Sequence, residues 1–121
     1  MSGRRSLNRD VLVQFTGTSN WFRHSLVRDV LYTDGARYVA DHAGAYWLLD
    51  EIALAQVYDA KVAGEPFQLW QLKVTGTQGQ LTCEDGDGNL ILTKAIPFTD
   101  FPAQGIRLYC CDMTIMLPSE Y

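Results

Sequence analysis

No uninterrupted apolar run in this chain approaches the roughly 18 residues needed to cross a bilayer. The one candidate, AYWLLDEIALAQV at 45–57, is cut by Asp50-Glu51. The first ten residues, MSGRRSLNRD, carry arginines with no apolar stretch behind them, which does not read as a secretory leader. Cysteine is scarce and odd in number. Cys83, Cys110 and Cys111 include an adjacent pair, whereas a disulfide framework wants an even count at spread spacings, so reduced thiols in a cytoplasmic protein are expected. Glycine-rich phosphate loops, HExxH, CxxC pairs and GxSxG elbows are missing as well, which removes the common signals for nucleotide hydrolysis, zinc proteolysis, thioredoxin-like redox work and serine hydrolysis. No repeat, low-complexity tract or linker divides the chain. The 121 residues are therefore expected to form one domain, frayed over Met1–Ser6.

Positive charge is missing from most of the chain. Residues 1–37 hold six arginines (Arg4, Arg5, Arg9, Arg23, Arg28 and Arg37) against three aspartates, a local charge of +3. The remainder holds four basic residues against eleven acidic ones, and the whole chain is −4. So acidic a body argues against binding nucleic acid over the whole domain, while the basic N-terminal edge stays available for a local contact.

What is present begins with a segment that fits either strand or helix. Val11, Val13 and Phe15 alternate, yet Leu7, Val11, Leu12 and Phe15 also fit helical spacing. Asn8 can cap and Gly17 can close the end, so a short helix is preferred. Thr18–Arg28 reads as a loop or short extended segment, and Val30–Tyr32 as a short strand. Thr33 or Asp34 then caps a helix in which Ala36, Val39, Ala40 and Ala43 share a stripe and Arg37 pairs with Asp41. Continuing straight through Gly44 would put Asp50 on that same stripe, so the helix is expected to break there.

The second helix, Ala45–Val57, is apolar nearly all the way round. Leu48, Ile52 and Ala55 share one side, and Trp47, Leu54 and Tyr58 the other. Such a helix is expected to be covered on two flanks, and its carboxylates to need partners.

Beyond Pro66 the period changes from helical to alternating. Strands are predicted at Phe67–Thr75, Gln80–Glu84 and Asn89–Ile96, the last two joined by a tight turn at Asp85-Gly86-Asp87-Gly88. A final hairpin, Ile106–Cys111 and Thr114–Leu117, turns at Asp112-Met113. The expected architecture is α+β: N-terminal helices packed on an antiparallel sheet of about five strands built from the C-terminal half.

The strings FTGTSNWFRH (15–24), LYTDGARYVADHAGAYWLLDEIA (31–53), FQLWQL (67–72), TCEDGDGN (82–89), IPFTDFP (96–102) and LPSEY (117–121) resemble a bacterial family of small uncharacterised proteins, met in phage, plasmid and integrative-element settings. The resemblance spans roughly residues 8–121. It implies a cytoplasmic accessory protein linked to mobile elements, and brings no activity, catalytic residue or cofactor with it.

Several constellations carry chemistry on paper. Asp85, Asp87 and Asn89 alternate like the start of a calcium loop, but Leu90 stands where glycine is wanted and Ile96 where a bidentate glutamate belongs, so a turn is expected. Cys110 and Cys111 fall on opposite faces of a strand and cannot both ligate one ion with His24 or His42; no metal and no cofactor is expected. Trp21, Arg23 and His24, extended by Arg28, form the most chemistry-like cluster, suited to stacking bases and holding phosphates. The structural alternative has Trp21 and Phe22 plugging the core, with Arg23 and His24 bonded at its edge. Asp50 and Glu51 diverge by about 100° on a helix, which weakens a general acid/base dyad. One of them is expected to meet an N-terminal arginine, Arg23 or Arg28, or a tyrosine or indole, with the other at the rim.

The reading is a non-catalytic protein acting by macromolecular binding through the apolar surface around Trp47, Leu54 and Tyr58, with another protein or a second copy as partner and no membrane. The alternatives are a small enzyme or ligand-binding module with a pocket near His24, Arg23 and Asp50 or Glu51, and, disfavoured by the acidic body, a weak binder of single-stranded nucleic acid.

Overall fold

The structure is a computed structural model that describes residues 7–16 and 20–121. The fraying expected of Met1–Ser6, the helix stop at Gly17, Arg4 and Arg5, and the side chain of Arg9 lie outside the described residues.

One helical turn, α1 (Arg9–Leu12), opens the chain, with the Asn8 side chain accepting from the Asp10 amide. Two three-residue strands follow, β1 (Trp21–Arg23) and β2 (Leu31–Thr33). Helix α2 (Asp34–Ala43) is capped by Thr33, whose hydroxyl accepts from the Ala36 amide, and ends at Gly44 in a left-handed conformation with φ 60°. That positive φ favours glycine and produces the expected break. Helix α3 (Tyr46–Tyr58) and the single turn α4 (Ala60–Ala63) complete the helices. Strands β3 (Phe67–Thr75), β4 (Gln78–Glu84), β5 (Leu90–Ile96), β6 (Ile106–Cys111) and β7 (Thr114–Met116) make the rest, ending in a 3₁₀ turn at Pro118–Glu120.

All seven strands lie in one sheet, in the order β1-β2-β7-β6-β3-β4-β5. The expectation of about five antiparallel strands from the C-terminal half is therefore corrected. Two N-terminal strands extend the sheet, and β2 runs parallel to β7 while every other neighbouring pair is antiparallel. Three-residue strands carry too little alternation to announce their place, and a parallel pair needs the long crossover that the intervening chain supplies.

One face of the sheet presents Trp70, Leu72, Leu81, Cys83, Leu108, Cys110 and Ile115, all buried, to the apolar stripes of α2 and α3. An amide cluster pins α3 to β3 inside this core. Gln56 and Gln68 exchange hydrogen bonds at 2.7 and 2.9 Å, Gln68 also donates to the Val62 and Glu65 carbonyls, and the Trp70 indole donates to Gln68 Oε1. Every member has a partner, the condition under which buried polar groups are tolerated.

The expectation that α3 is covered on both flanks is met only in part. Leu48, Leu49, Ile52, Ala53 and Gln56 are buried, but Trp47, Leu54 and Ala55 are only half-buried, and Tyr58 is 82% exposed. The sheet stops at β5, so nothing continues beneath that side of the helix.

The start of α2 and the C-terminal turn are clasped together. Glu120 accepts from the Thr33 hydroxyl at 2.6 Å, the Gly35 amide at 3.1 Å and the Leu117 amide at 2.9 Å, setting a carboxylate at the start of α2. A Cβ on Gly35 would run into the Glu120 carboxylate and the Leu117 side chain, so any larger residue there must displace the clasp. The Thr-Asp-Gly and Leu-Pro-Ser-Glu strings are thus two halves of one joint.

Candidate functional site

His24 follows the edge strand β1 and turns inward, leaving it 3% exposed. Its Nδ1 accepts from the backbone amides of Leu26 at 3.1 Å and Val27 at 3.0 Å. An atom that receives two N–H donors carries no proton, so the ring hydrogen sits on Nε2. That nitrogen donates to Asp50 Oδ1 at 2.8 Å. Both nitrogens are engaged, and the histidine acts as a bracket folding the 24–27 loop onto α3.

The expected arginine partner of Asp50 or Glu51 is corrected accordingly. Asp50 meets His24, with its own side chain 44% exposed. Glu51 points away to β5, where Lys94 Nζ donates to both carboxylate oxygens at 2.7 and 2.8 Å. The acidic couple diverges, as helical geometry requires, and each member answers a different cation or ring. Arg23 donates to the Arg28 carbonyl at 2.5 Å and stays at the surface, where the Arg28 side chain also lies.

Trp21 does not plug the core; it is 56% exposed. On a three-residue edge strand, Trp21 and Arg23 point outward while Phe22 turns in. Phe22 packs on Tyr32 with centroids 5.6 Å apart and lies under the Arg37 guanidinium at 4.5 Å. His24 and Asp50 are therefore brought together, whereas Trp21, Arg23 and Arg28 sit apart from Trp47 and Glu51 in their bonding.

Trp47 and Glu51 belong to a different feature, the seam between α3 and the edge strand β5. Two shallow clefts of about 380 Å³ each flank the Glu51–Lys94 pair. One is walled by Trp47 and the segment Ile96–Phe98, the other by Leu54, Tyr58 and Leu92 over Trp70 and Leu81. Phe98, 72% exposed, and Leu92 are seam residues that sequence reasoning missed. The signal available was the IPF tripeptide immediately after the predicted strand.

The thiols are quiet. Burial pushes Cys83 and Cys110 up to about 12, so neither is a thiolate near neutral pH. Cys111, on the other face of β6 as alternation requires, is also raised, by partial burial and by Asp112 beside it. At the 85–89 turn, Asp85 accepts from the amides of Asp87 and Asn89 and from the Asn89 side chain, which holds its carboxyl below the usual range. Those bonds spend the aspartate on the turn itself.

Comparison with known proteins adds a family and a fold. A family model described as a family of unknown function, DUF6876, matches residues 6–121. The chain is similar to a crystal structure of a protein of unknown function from Enterococcus faecalis, with TM-score 0.56 and 18% identity over 85% of this chain and 92% of that one. At that identity the likeness concerns the fold alone. No curated protein matches the chain.

Proposed function

The chain belongs to the DUF6876 family, whose function is unknown, and from its surface we propose that the protein is a non-catalytic binding protein that works through the α3–β5 seam. The carrying observation is the coincidence, on one side of the molecule, of a terminal strand and an apolar helix flank that is only partly covered. Strand β5 is the last of the sheet, so its outer backbone groups have no strand beside them. Trp47, Leu54, Tyr58, Leu92 and Phe98 line the clefts directly above it. Contiguous exposed apolar surface of this kind, interrupted by one ion pair, is the usual make-up of a protein contact. The partner is a second copy or another protein.

The enzyme reading around His24 is weaker, because both ring nitrogens already have protein partners. The cytoplasmic, mobile-element setting implied by the motif strings is part of the same proposal, supported by those strings.

Tyr58→Asp and Phe98→Asp place charge on exposed positions, so the fold should persist. Light scattering over a concentration series, with affinity capture as the second arm, should show a defined complex that either variant abolishes. A strict monomer at high concentration together with capture indifferent to both substitutions would remove the proposal.

A further inference from the structure

The seam leaves unexplained a larger cleft, about 510 Å³, that none of the site residues expected from the sequence lines. It opens where the sheet carries Gln71 and Arg107, directly paired across β3 and β6. Alternation puts these two on the face opposite Trp70, Leu72 and Leu108, away from α3. The outer wall is formed by Leu12 and Val13 of the α1 region and by Pro118 of the C-terminal turn.

That wall is held in position. Ser119 Oγ donates to the Leu12 carbonyl at 3.3 Å, and the Glu120 clasp fixes the turn from the other side. The rim is also built tightly. Gly105 has φ +66°, and a Cβ there would lie 2.2 Å from the Leu72 carbonyl oxygen, so only glycine lets the chain close down on β3. The bend sets the Gln104 amide at the cleft's edge.

Among the described residues Arg107 is the one cation of the lining, and it makes no ion pair or side-chain hydrogen bond there. In a chain with fourteen acidic residues against ten basic ones, a guanidinium without a carboxylate is available for one from outside. The lining selects the ligand further. A planar guanidinium forks onto a carboxylate or a phosphate alike, but its single positive charge balances one carboxylate and leaves a phosphate dianion in excess. The lining holds no aromatic ring, which leaves nothing to stack a base or ring against; its apolar members are aliphatic. The volume is in the range of small-molecule sites, roughly 300–1,000 Å³.

We propose that the Arg107 cleft binds an aliphatic monocarboxylate, the carboxylate on Arg107 and the Gln71 and Gln104 amides, the hydrocarbon along Leu12, Val13 and Pro118. The site is independent of the seam and of the proposal made for it.

The probe is octanoate, titrated into the intact protein and followed by amide and arginine Nε–H shifts in NMR. Octanol supplies the tail without the charge, acetate the charge without the tail, and hexyl phosphate a dianion. Octanoate should shift Arg107 and residues 104–107 and 117–119, with acetate and octanol each binding at least about tenfold more weakly. Arg107→Gln, a change at an exposed position, should weaken octanoate by about tenfold or more while leaving octanol unaffected. Shifts confined to the α3–β5 seam, octanol or hexyl phosphate matching octanoate, equal affinity in the Arg107→Gln protein, or no saturable shift at roughly millimolar octanoate would each overturn the assignment.

Discussion

Replacing Glu120 by alanine tests the joint between the start of α2 and the C-terminal turn. Three hydrogen bonds disappear, from the Thr33 hydroxyl and the Gly35 and Leu117 amides. A bond to a charged group is worth about 1.5–3 kcal/mol, and a carboxylate at a helix N-terminus adds about 0.3–1 kcal/mol. The site is only half-buried, so water takes over part of the two amides' needs, and the terms do not sum. The expected cost is about 2–3 kcal/mol, or roughly 10 °C in Tm for a chain of this size. Urea unfolding followed by tryptophan fluorescence reads it as a lower midpoint at unchanged slope.

Gly35→Ala should cost at least as much, because its methyl would occupy the space of the Glu120 carboxylate and displace it. In the Glu120→Ala background that part of the damage is already done. The double variant should therefore be less destabilised than the sum of the singles by about 1–2 kcal/mol. Strict additivity, or a loss below about 0.5 kcal/mol for Glu120→Ala, would refute the reasoning.

Three further outcomes are expected. Asp50→Asn should cost less than about 1 kcal/mol, because the His24 Nε2–H donates to an amide oxygen too, whereas His24→Ala should cost about 2–4 kcal/mol through the stranded Leu26 and Val27 amides; a loss in Asp50→Asn as large as that in His24→Ala would contradict this. Gln68→Leu should destabilise by about 3 kcal/mol or more, since the buried Trp70 N–H and the Gln56 amide lose their partner, and an unchanged urea midpoint would show the amide cluster to be dispensable. Cys83 and Cys110, raised to about 12, favour the folded state fully below the unfolded thiol range near 8.5–9, and that advantage falls as pH climbs toward 12. Wild-type stability should then drop more steeply above pH 9 than that of a Cys83→Ala/Cys110→Ala protein, by up to about 1.4 kcal/mol per pH unit for each thiol, and a thiol reagent should label Cys111 before unfolding and the other two after.

Much of the fold is legible where the physics is local. The bounds of β3 and β6 follow from alternation between glycine and proline punctuation, and α2 from the Thr33 cap, its alanine stripe and Gly44. The break at Gly44 could be inferred because a straight helix would have buried Asp50. What escaped is set by distant partners. His24 and Asp50 are 26 residues apart, Glu51 and Lys94 are 43, and Thr33 and Glu120 are 87. No local pattern states that a histidine will receive two backbone amides, or that a lysine on a strand will satisfy a glutamate on a helix. The half-covered flank of α3 escaped for a related reason: periodicity reports which side chains are apolar, and the sheet's outer limit decides which of them are covered. Trp21 shows the converse, a large aromatic residue whose short edge strand turns it outward.

The pairing of β2 with β7 has a consequence for synthesis. Leu31 and Tyr32 cannot find Thr114 and Ile115 until synthesis has passed Ile115. At about 5–20 residues per second, the interval between completion of α3 and arrival of β7 is roughly 3–11 s. Strands β3 to β6 emerge within it and give the apolar stripes of the helices most of their floor, while β1 and β2 still have no place in the sheet. A product that stops before Thr114 should therefore keep its helices on the central strands with the N-terminal strands unseated, and chaperone demand should concentrate on chains at that stage.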